Sequence, residues 1–297
     1  MQPWEQLGAQ IEIRGHRLFV VDLPAEREAA PPVLILHGFP TSSLEWREIV
    51  PLLRRERRVV TFDLLGFGLS DKPDQAYSLF EQADLAQGVA QRLGLSRVVL
   101  ATHDVGDSIG GELLARSLEG KLGFEVVQRV IANGSIYMDL VTLSRGQLAL
   151  LGLPDARLPS RSPPPREALA ASLLELMGER HRASAAPLVA DMVEGMMHAE
   201  GYRLMPRLIR YIEERRRHEP RWTGAIERHP SPLAIVWGEV DTIARVSMAH
   251  RLAALRPDAS LCVLDGVGHF PMVEDPARFG AAVLAGLAPR ARPGHPR

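Results

Sequence analysis

The chain has 297 residues, a net charge of −1 and 46% hydrophobic residues, the balance of an ordinary globular protein. Basic and acidic residues nearly cancel, at 35 and 36, which argues against nucleic acid as a partner. Cys262 is the only cysteine, so neither an intrachain disulfide nor a thiolate metal cluster can form. Its apolar setting, Leu261-Cys262-Val263-Leu264, predicts a buried structural thiol.

Lys72 and Lys121 are the only lysines, and the dominance of arginine reads as coding bias, not as a phosphate-binding surface. Met1 to Gly15 lacks the continuous apolar core of a signal peptide. No apolar run reaches the roughly 18 residues of a membrane-spanning helix. A cytoplasmic, membrane-free protein is expected, as a monomer or homodimer.

The chain opens with a strand pair, Ala9–Ile13 and Leu18–Asp22, turning at Arg14-Gly15-His16. Val33–Leu36 is a fully apolar run, as in a strand buried on both faces. A helix over Leu44–Arg54, a strand at Arg58–Phe62 and a helix over Leu79–Leu93 follow. Next come a strand at Val98–Ala101, a helix over Val105–Leu118 and a strand at Val126–Ala132. This alternation predicts a mostly parallel sheet with crossover helices. From about Ile136 to Arg228 the pattern is helical only, with helices at Glu167–Met177, Pro187–Met197 and Leu204–Arg217 and a loop at Pro154–Pro165. The α/β rhythm resumes with strands at Leu233–Trp237 and Ser260–Leu264 and helices at Val246–Leu255 and Pro276–Leu287. The expected organisation is an α/β core over 1–135, a helical cap over 136–229, the rest of the core over 230–288 and a flexible tail over 289–297.

Strand Val98–Ala101 runs into Thr102-His103-Asp104-Val105-Gly106 and then directly into a helix, the layout of a nucleophile elbow. Such a turn wants small residues two places either side of its apex, and Thr102 and Gly106 fit. Taken alone, Asp104 is equally a helix N-cap. Its partners favour chemistry. His37-Gly38-Phe39-Pro40 follows Val33–Leu36, Asp241 follows Leu233–Trp237, and His269 follows Ser260–Leu264. Nucleophile, acid and histidine in that order resemble the α/β-hydrolase fold. There, the backbone N–H groups of Phe39 and Val105 would form an oxyanion hole. Phe39-Pro40 is a candidate cis bond.

A carboxylate nucleophile attacks an sp³ carbon and leaves an alkyl ester, which His269, oriented by Asp241, hydrolyses with water. The substrates that fit are small apolar epoxides or alkyl halides, with no cofactor and no metal. The motifs resemble the epoxide hydrolase and haloalkane dehalogenase branch of the α/β-hydrolases over about Gln10 to Leu287. The segments His37 to Ser43, Leu65 to Pro73, Tyr77 to Asp84 and His103 to Asp107 are similar to the mesoderm-specific transcript group and its bacterial members.

Dehalogenases of the branch place asparagine at Phe39 and tryptophan at Val105 to hold the halide, so their absence favours an epoxide. The resemblance also implies cap tyrosines on the epoxide oxygen. Tyr211 matches one by its distance from Asp104, although packing is an equally ordinary role for it. Tyr137 and Tyr202 fit the second place poorly. His37, Pro40 and Tyr137 are carried as substrate-binding candidates. Ester hydrolysis and ligand binding with little turnover are the alternatives to epoxide and halide chemistry. Asp107 departs from the glycine usual in the branch; it either complements the helix dipole or perturbs Asp104.

Ordinary roles are expected elsewhere. Asp63 ties down the turn beneath the site, Asp71 flanks the same loop, and His103 is a structural hydrogen-bonder. His198, His218 and His229 are surface histidines, and Glu213-Glu214-Arg215-Arg216-Arg217 is a charged outer face. Met192, Met196, Met197 and Met205 read as cap core, with an apolar substrate tunnel as the alternative.

Overall fold

The computed structural model describes residues 2–159 and 162–288, so the expected tail lies outside the described residues. β1 (Gly8–Ile13) and β2 (His16–Leu23) form an antiparallel hairpin. Arg14 and Gly15 both take positive φ, at 53° and 84°, as a two-residue turn matched to strand twist requires.

The sheet continues with β3 (Val33–Leu36), β4 (Val59–Phe62), β5 (Arg97–His103), β6 (Glu125–Ala132), β7 (Leu233–Gly238) and β8 (Ser260–Leu264). Their order is β1-β2-β4-β3-β5-β6-β7-β8, with β2 antiparallel to β4 and every later pairing parallel. Every residue of β3, β4 and β7 is buried, which is why these strands read as unbroken apolar runs. β8 lies at the sheet's edge, and Cys262 within it is only half-buried, a departure from the expected burial.

The core helices of the first half are α1 (Val50–Leu53), α2 (Leu79–Arg92) and α3 (Val105–Leu118). The helix expected over Leu44–Arg54 divides into a 3₁₀ turn at Ser43–Trp46 and the short α1. Pro51 has no N–H to bond back with, which suits the first turn of a helix, and α1 opens there.

Between β6 and β7 lie α4 (Arg145–Leu151), α5 (Arg166–Glu175), α6 (Arg182–Met197), α7 (Met205–Leu208) and α8 (Tyr211–Arg228). α4 was unforeseen, although its capping box is written in the sequence. Ser144 Oγ accepts from Gln147 N at 3.1 Å, and Gln147 Oε1 accepts from Ser144 N at 2.9 Å. The helix expected over Leu204–Arg217 breaks after α7, and α8 instead runs on through Pro220. α9 (Val246–Leu255), α10 (Pro271–Glu274) and α11 (Pro276–Leu287) complete the chain.

α8 is tied down at several points. Arg129 donates to the carbonyls of Ile226 and His229 at 2.7 and 2.9 Å, and Arg256 donates to that of His229 at 2.7 Å. Cations at a helix C-terminus satisfy its free carbonyls and its dipole. Along its length α8 crosses α3 at Gly111, where a Cβ would lie 2.9 Å from Trp222 Cβ and 3.1 Å from its carbonyl oxygen. Trp222 Nε1 donates to Glu112 at 2.9 Å beside this crossing. Gly111→Val should therefore push α8 off α3 and cost roughly 1–3 kcal/mol of stability. Urea unfolding measures this, and a midpoint equal to wild type would mean that the crossing is not tightly packed.

Candidate active site

β5 delivers Asp104 to a turn with φ 48° and ψ −109°, a conformation that side chains rarely adopt and that the surroundings must hold. Two glycines make room for it. A Cβ on Gly106 would lie 2.5 Å from the Leu36 carbonyl oxygen, and one on Gly38 would lie 2.7 Å from His103 Nδ1. Asp104 is 2% exposed, and its Oδ2 accepts from the Phe39 N–H at 3.0 Å. Its Oδ1 has no hydrogen-bond partner. The Phe39-Pro40 bond is cis.

The loop carrying Phe39 is anchored by Glu45, a residue that the sequence reading passed over. Glu45 accepts from Gly38 N at 3.0 Å and from Thr41 Oγ1, and pairs with His103 Nδ1 at 2.8 Å. His103 Nε2 bonds the His269 carbonyl oxygen at 2.8 Å. Burial opposes both charges, yet their mutual attraction holds Glu45 below its usual range and lifts His103 to about 9. His103 is the structural hydrogen-bonder expected of it. Asp63 also acts as expected, accepting from Ser43 N at 2.9 Å and from Leu69 N at 2.7 Å.

His269 Nδ1 lies 2.8 Å from Asp241 Oδ2. Asp241 is fully engaged: Oδ1 accepts from Ile243 N at 2.8 Å and Ala244 N at 3.0 Å, and Oδ2 accepts from Asn133 Nδ2 at 2.7 Å. Asn133 ends β6 in the left-handed region, at φ 47°, and is a second residue that the sequence did not single out. Burial works against the imidazolium of His269, but the charge and hydrogen bond of Asp241, aided by Asp104, raise its pKa. With Nδ1 committed, Nε2 is the nitrogen available to water.

A cavity of about 680 Å³ lies above, lined by Phe39, Pro40, Gln147, Leu173, Met196, Tyr202, Met205, Ile243 and His269 among others. Pro40 stands where expected, and two of the four cap methionines line the cavity. Tyr211, at the start of α8, packs its ring 5.4 Å from that of Phe39, with its hydroxyl 3.5 Å from Gln147 Nε2. Burial, then the charge of Asp104, raises its pKa.

Several expectations need correction. His37 does not line the cavity: its Nε2 accepts from Leu64 N at 2.9 Å and its Nδ1 bonds the Gly38 carbonyl at 2.8 Å, so the ring braces its own loop. Tyr137 is also absent from the lining. Its hydroxyl donates to Glu227 at 2.9 Å and its face carries Arg251. His229 is buried between Ser231 and Ser117, while His218 packs against Phe80 and Trp222; only His198 is exposed as expected.

The run at 213–217 is not wholly an outer face. Glu214 accepts from Ser78 Oγ and from Leu79 N, both at 2.6 Å. Arg215, 4% exposed, reaches the elbow: Nε donates to Ser108 Oγ at 2.6 Å and Nη2 to the Asp104 carbonyl at 3.2 Å. Alternation along α8 places these two inward and Arg216 and Arg217 outward, a phase that a run of charges conceals.

Set in this geometry, the chain belongs to the alpha/beta hydrolase family, whose model matches residues 33–282. Among its relatives is the putative hydrolase LipZ of Mycobacterium tuberculosis, 37% identical over 96% of this chain and 97% of its own length. The human mesoderm-specific transcript homolog protein is 31% identical over 94% of this chain and 85% of its own. Among solved structures, a meta-cleavage product hydrolase, CumD, superposes with a TM-score of 0.75 at 21% identity, covering 95% of this chain and 98% of its own. An enol-lactonase from Burkholderia xenovorans LB400 gives 0.75 at 16% identity, covering 94% and 99%. At these identities the structural likeness speaks for the fold alone. No described helix is long and apolar enough to cross a membrane.

Asp107 is buried against Gly134, and neither of its oxygens makes a well-formed hydrogen bond. Burial, with some help from Asp104, raises its pKa to about 7. The folded chain therefore keeps a proton that the unfolded chain loses, and stability falls as pH climbs from the ordinary carboxylate range to about 7. Asp107→Asn keeps the shape and removes this loss. Between about pH 4 and about pH 8 the wild type should lose on the order of 2 kcal/mol more than the variant. Parallel pH–stability curves for the two proteins would refute it.

Proposed function

We propose that this hydrolase opens small apolar epoxides to diols, without a cofactor, through an alkyl ester on Asp104. The observation that carries the reading is the inequivalence of the two Asp104 oxygens. Oδ2 already sits on the Phe39 amide, while Oδ1 is free of hydrogen bonds. An elbow that only capped α3 would turn a carboxylate oxygen onto the helix N–H groups, and Asp104 makes no such bond.

In the first step Oδ1 attacks an sp³ ring carbon and the carbon–oxygen bond of the epoxide breaks. Tyr211 supplies the hydrogen bond, and then the proton, for the departing oxygen. Tyr202, which lines the cavity where Tyr211 does not, is a second candidate donor to that oxygen. In the second step His269 Nε2 takes a proton from water, whose oxygen adds to the Asp104 carboxyl carbon. The charge passes to Oδ2, where the Phe39 N–H, joined by that of Val105, stabilises it. The Cγ–Oδ1 bond then breaks. Oδ1 leaves as a hydroxyl oxygen of the diol, taking the proton from His269; the second water proton returns to the Tyr211 phenolate, and the carboxylate reforms from Oδ2 and the water oxygen.

Among the described residues the cavity lining is apolar, with no charged side chain besides an ionisable histidine, which supports a neutral substrate. Haloalkanes remain the nearest rival. Phe39 and Val105 offer no side-chain donor for a halide, which ranks that reading second. The ester and lactone chemistry named for structural neighbours would require a mixed anhydride on Asp104, a less favourable intermediate than an alkyl ester.

Intact-protein mass spectrometry of His269→Ala after incubation with terminal and internal epoxides tests the reading. A stable gain of one epoxide mass is expected, and it should vanish when Asp104→Asn is added. A folded protein that takes up no epoxide, or chloride release from several chloroalkanes, would displace the epoxide reading. Tyr211→Phe should lower kcat on epoxides by roughly a hundredfold with little change in fold. Unchanged turnover would reduce Tyr211 to packing.

A further inference from the structure

We propose that Arg215 is a positioning residue for the second half-reaction, its charge beside Asp104 Oδ1 driving breakdown of the alkyl-enzyme ester. The inference rests on the alkyl-ester reading above.

Arg215 reaches inward from the second turn of α8, at the point where that helix crosses the elbow. Its guanidinium is fixed by the elbow itself, through Ser108 Oγ and the Asp104 main-chain carbonyl. The Tyr211 ring lies 4.9 Å from Cζ. Nη2 stands 3.8 Å from Asp104 Oδ1, too far for a hydrogen bond yet close enough for a strong field between two buried groups. Oδ1 thus feels the cation without being tied up in a hydrogen bond. A buried guanidinium without a counter-charge is costly, and Asp104 is the carboxylate with which it forms an ion pair.

The charge balance changes through the cycle. In the free enzyme the carboxylate faces the guanidinium. Alkylation of Oδ1 makes Asp104 neutral, and the negative charge passes to the Tyr211 phenolate. When water has added and the Cγ–Oδ1 bond breaks, negative charge develops on Oδ1 until His269 returns its proton. The new carboxylate, made of Oδ2 and the water oxygen, then faces Arg215 again. Of the events after alkylation, cleavage of Cγ–Oδ1 is the one that returns negative charge to the atom facing the cation. Removing the charge should slow ester breakdown more than ester formation, although His269 and Asp241 are intact.

The test compares wild type, Arg215→Met and Arg215→Lys on an epoxide that forms the adduct with His269→Ala. Intact mass spectrometry during steady-state turnover reads the esterified fraction, and thermal unfolding checks the fold. Arg215→Met should lower kcat by about tenfold or more and carry ester in roughly half or more of its molecules. Arg215→Lys keeps the charge but cannot reproduce the guanidinium fork, so it should recover most of kcat without ester accumulating. Two results overturn the proposal: a folded Arg215→Met that turns over slowly with no ester, or an Arg215→Lys as impaired as the Met variant, which would mean that shape matters and charge does not. Absence of adduct on His269→Ala itself would remove the alkyl-ester reading, and this proposal with it.

Discussion

The hydrogen bond from the Phe39 amide to Asp104 Oδ2 joins two strand ends, β3 and β5, at the strained turn. Everything else near the site serves to keep that contact. Without it, a carboxylate at the start of α3 would relax toward the helix N–H groups as an ordinary cap. The glycines at 38 and 106 permit the approach of the two loops, and the Glu45–His103 pair holds it. The same His103 bonds the backbone of His269, so one buried pair links the Asp104 turn to the His269 loop. Buried ion pairs are weak sources of net stability, and fixing the relative register of three loops is a better account of this one.

A comparable logic governs the histidine side. Asp241 accepts four hydrogen bonds, counting His269 among the donors, and so cannot rotate away from the ring. Glu274 collects the N–H groups of Gly268 and Phe270, which flank His269, together with that of Gly178 from the connection between α5 and α6. The His269 N–H itself bonds the Leu176 carbonyl at 3.0 Å. The inserted helices are thus stitched to the catalytic loop through backbone groups, which leaves their side chains free to shape the cavity.

α8 has a dual character. Its far end is held by Arg129 and Arg256, and its middle lies on α3 at a glycine crossing. Its near end therefore arrives at the elbow with Tyr211 and Arg215 in defined places. Helix packing of this kind converts an amphipathic surface segment into part of a reaction site.

Much of this was legible in the chain. The sheet strands declared themselves as short apolar runs, because strands buried on both faces admit nothing else. Asp104, Asp241 and His269 stood out as candidates because each falls in the loop after a strand, Asp104 directly and the other two three and five residues on. The loop after β3 stood out for the same reason. What the sequence concealed depended on contacts between distant segments. His37 and Tyr137 are the right residue types near the right loops, but their polar atoms are consumed by Leu64, Gly38 and Glu227. Glu45 and Asn133 were not singled out, since the charge partner of Glu45, His103, and the carboxylate partner of Asn133, Asp241, lie 58 and 108 residues away. Arg215 looked like one more charge in an exposed run. The sequence by itself determined the fold and put forward the candidate reacting groups, because those follow from local periodicity and strand-end geometry. Only the tertiary structure decided which charges stand beside Asp104, because burial and pairing are properties of the packed chain and not of any segment within it.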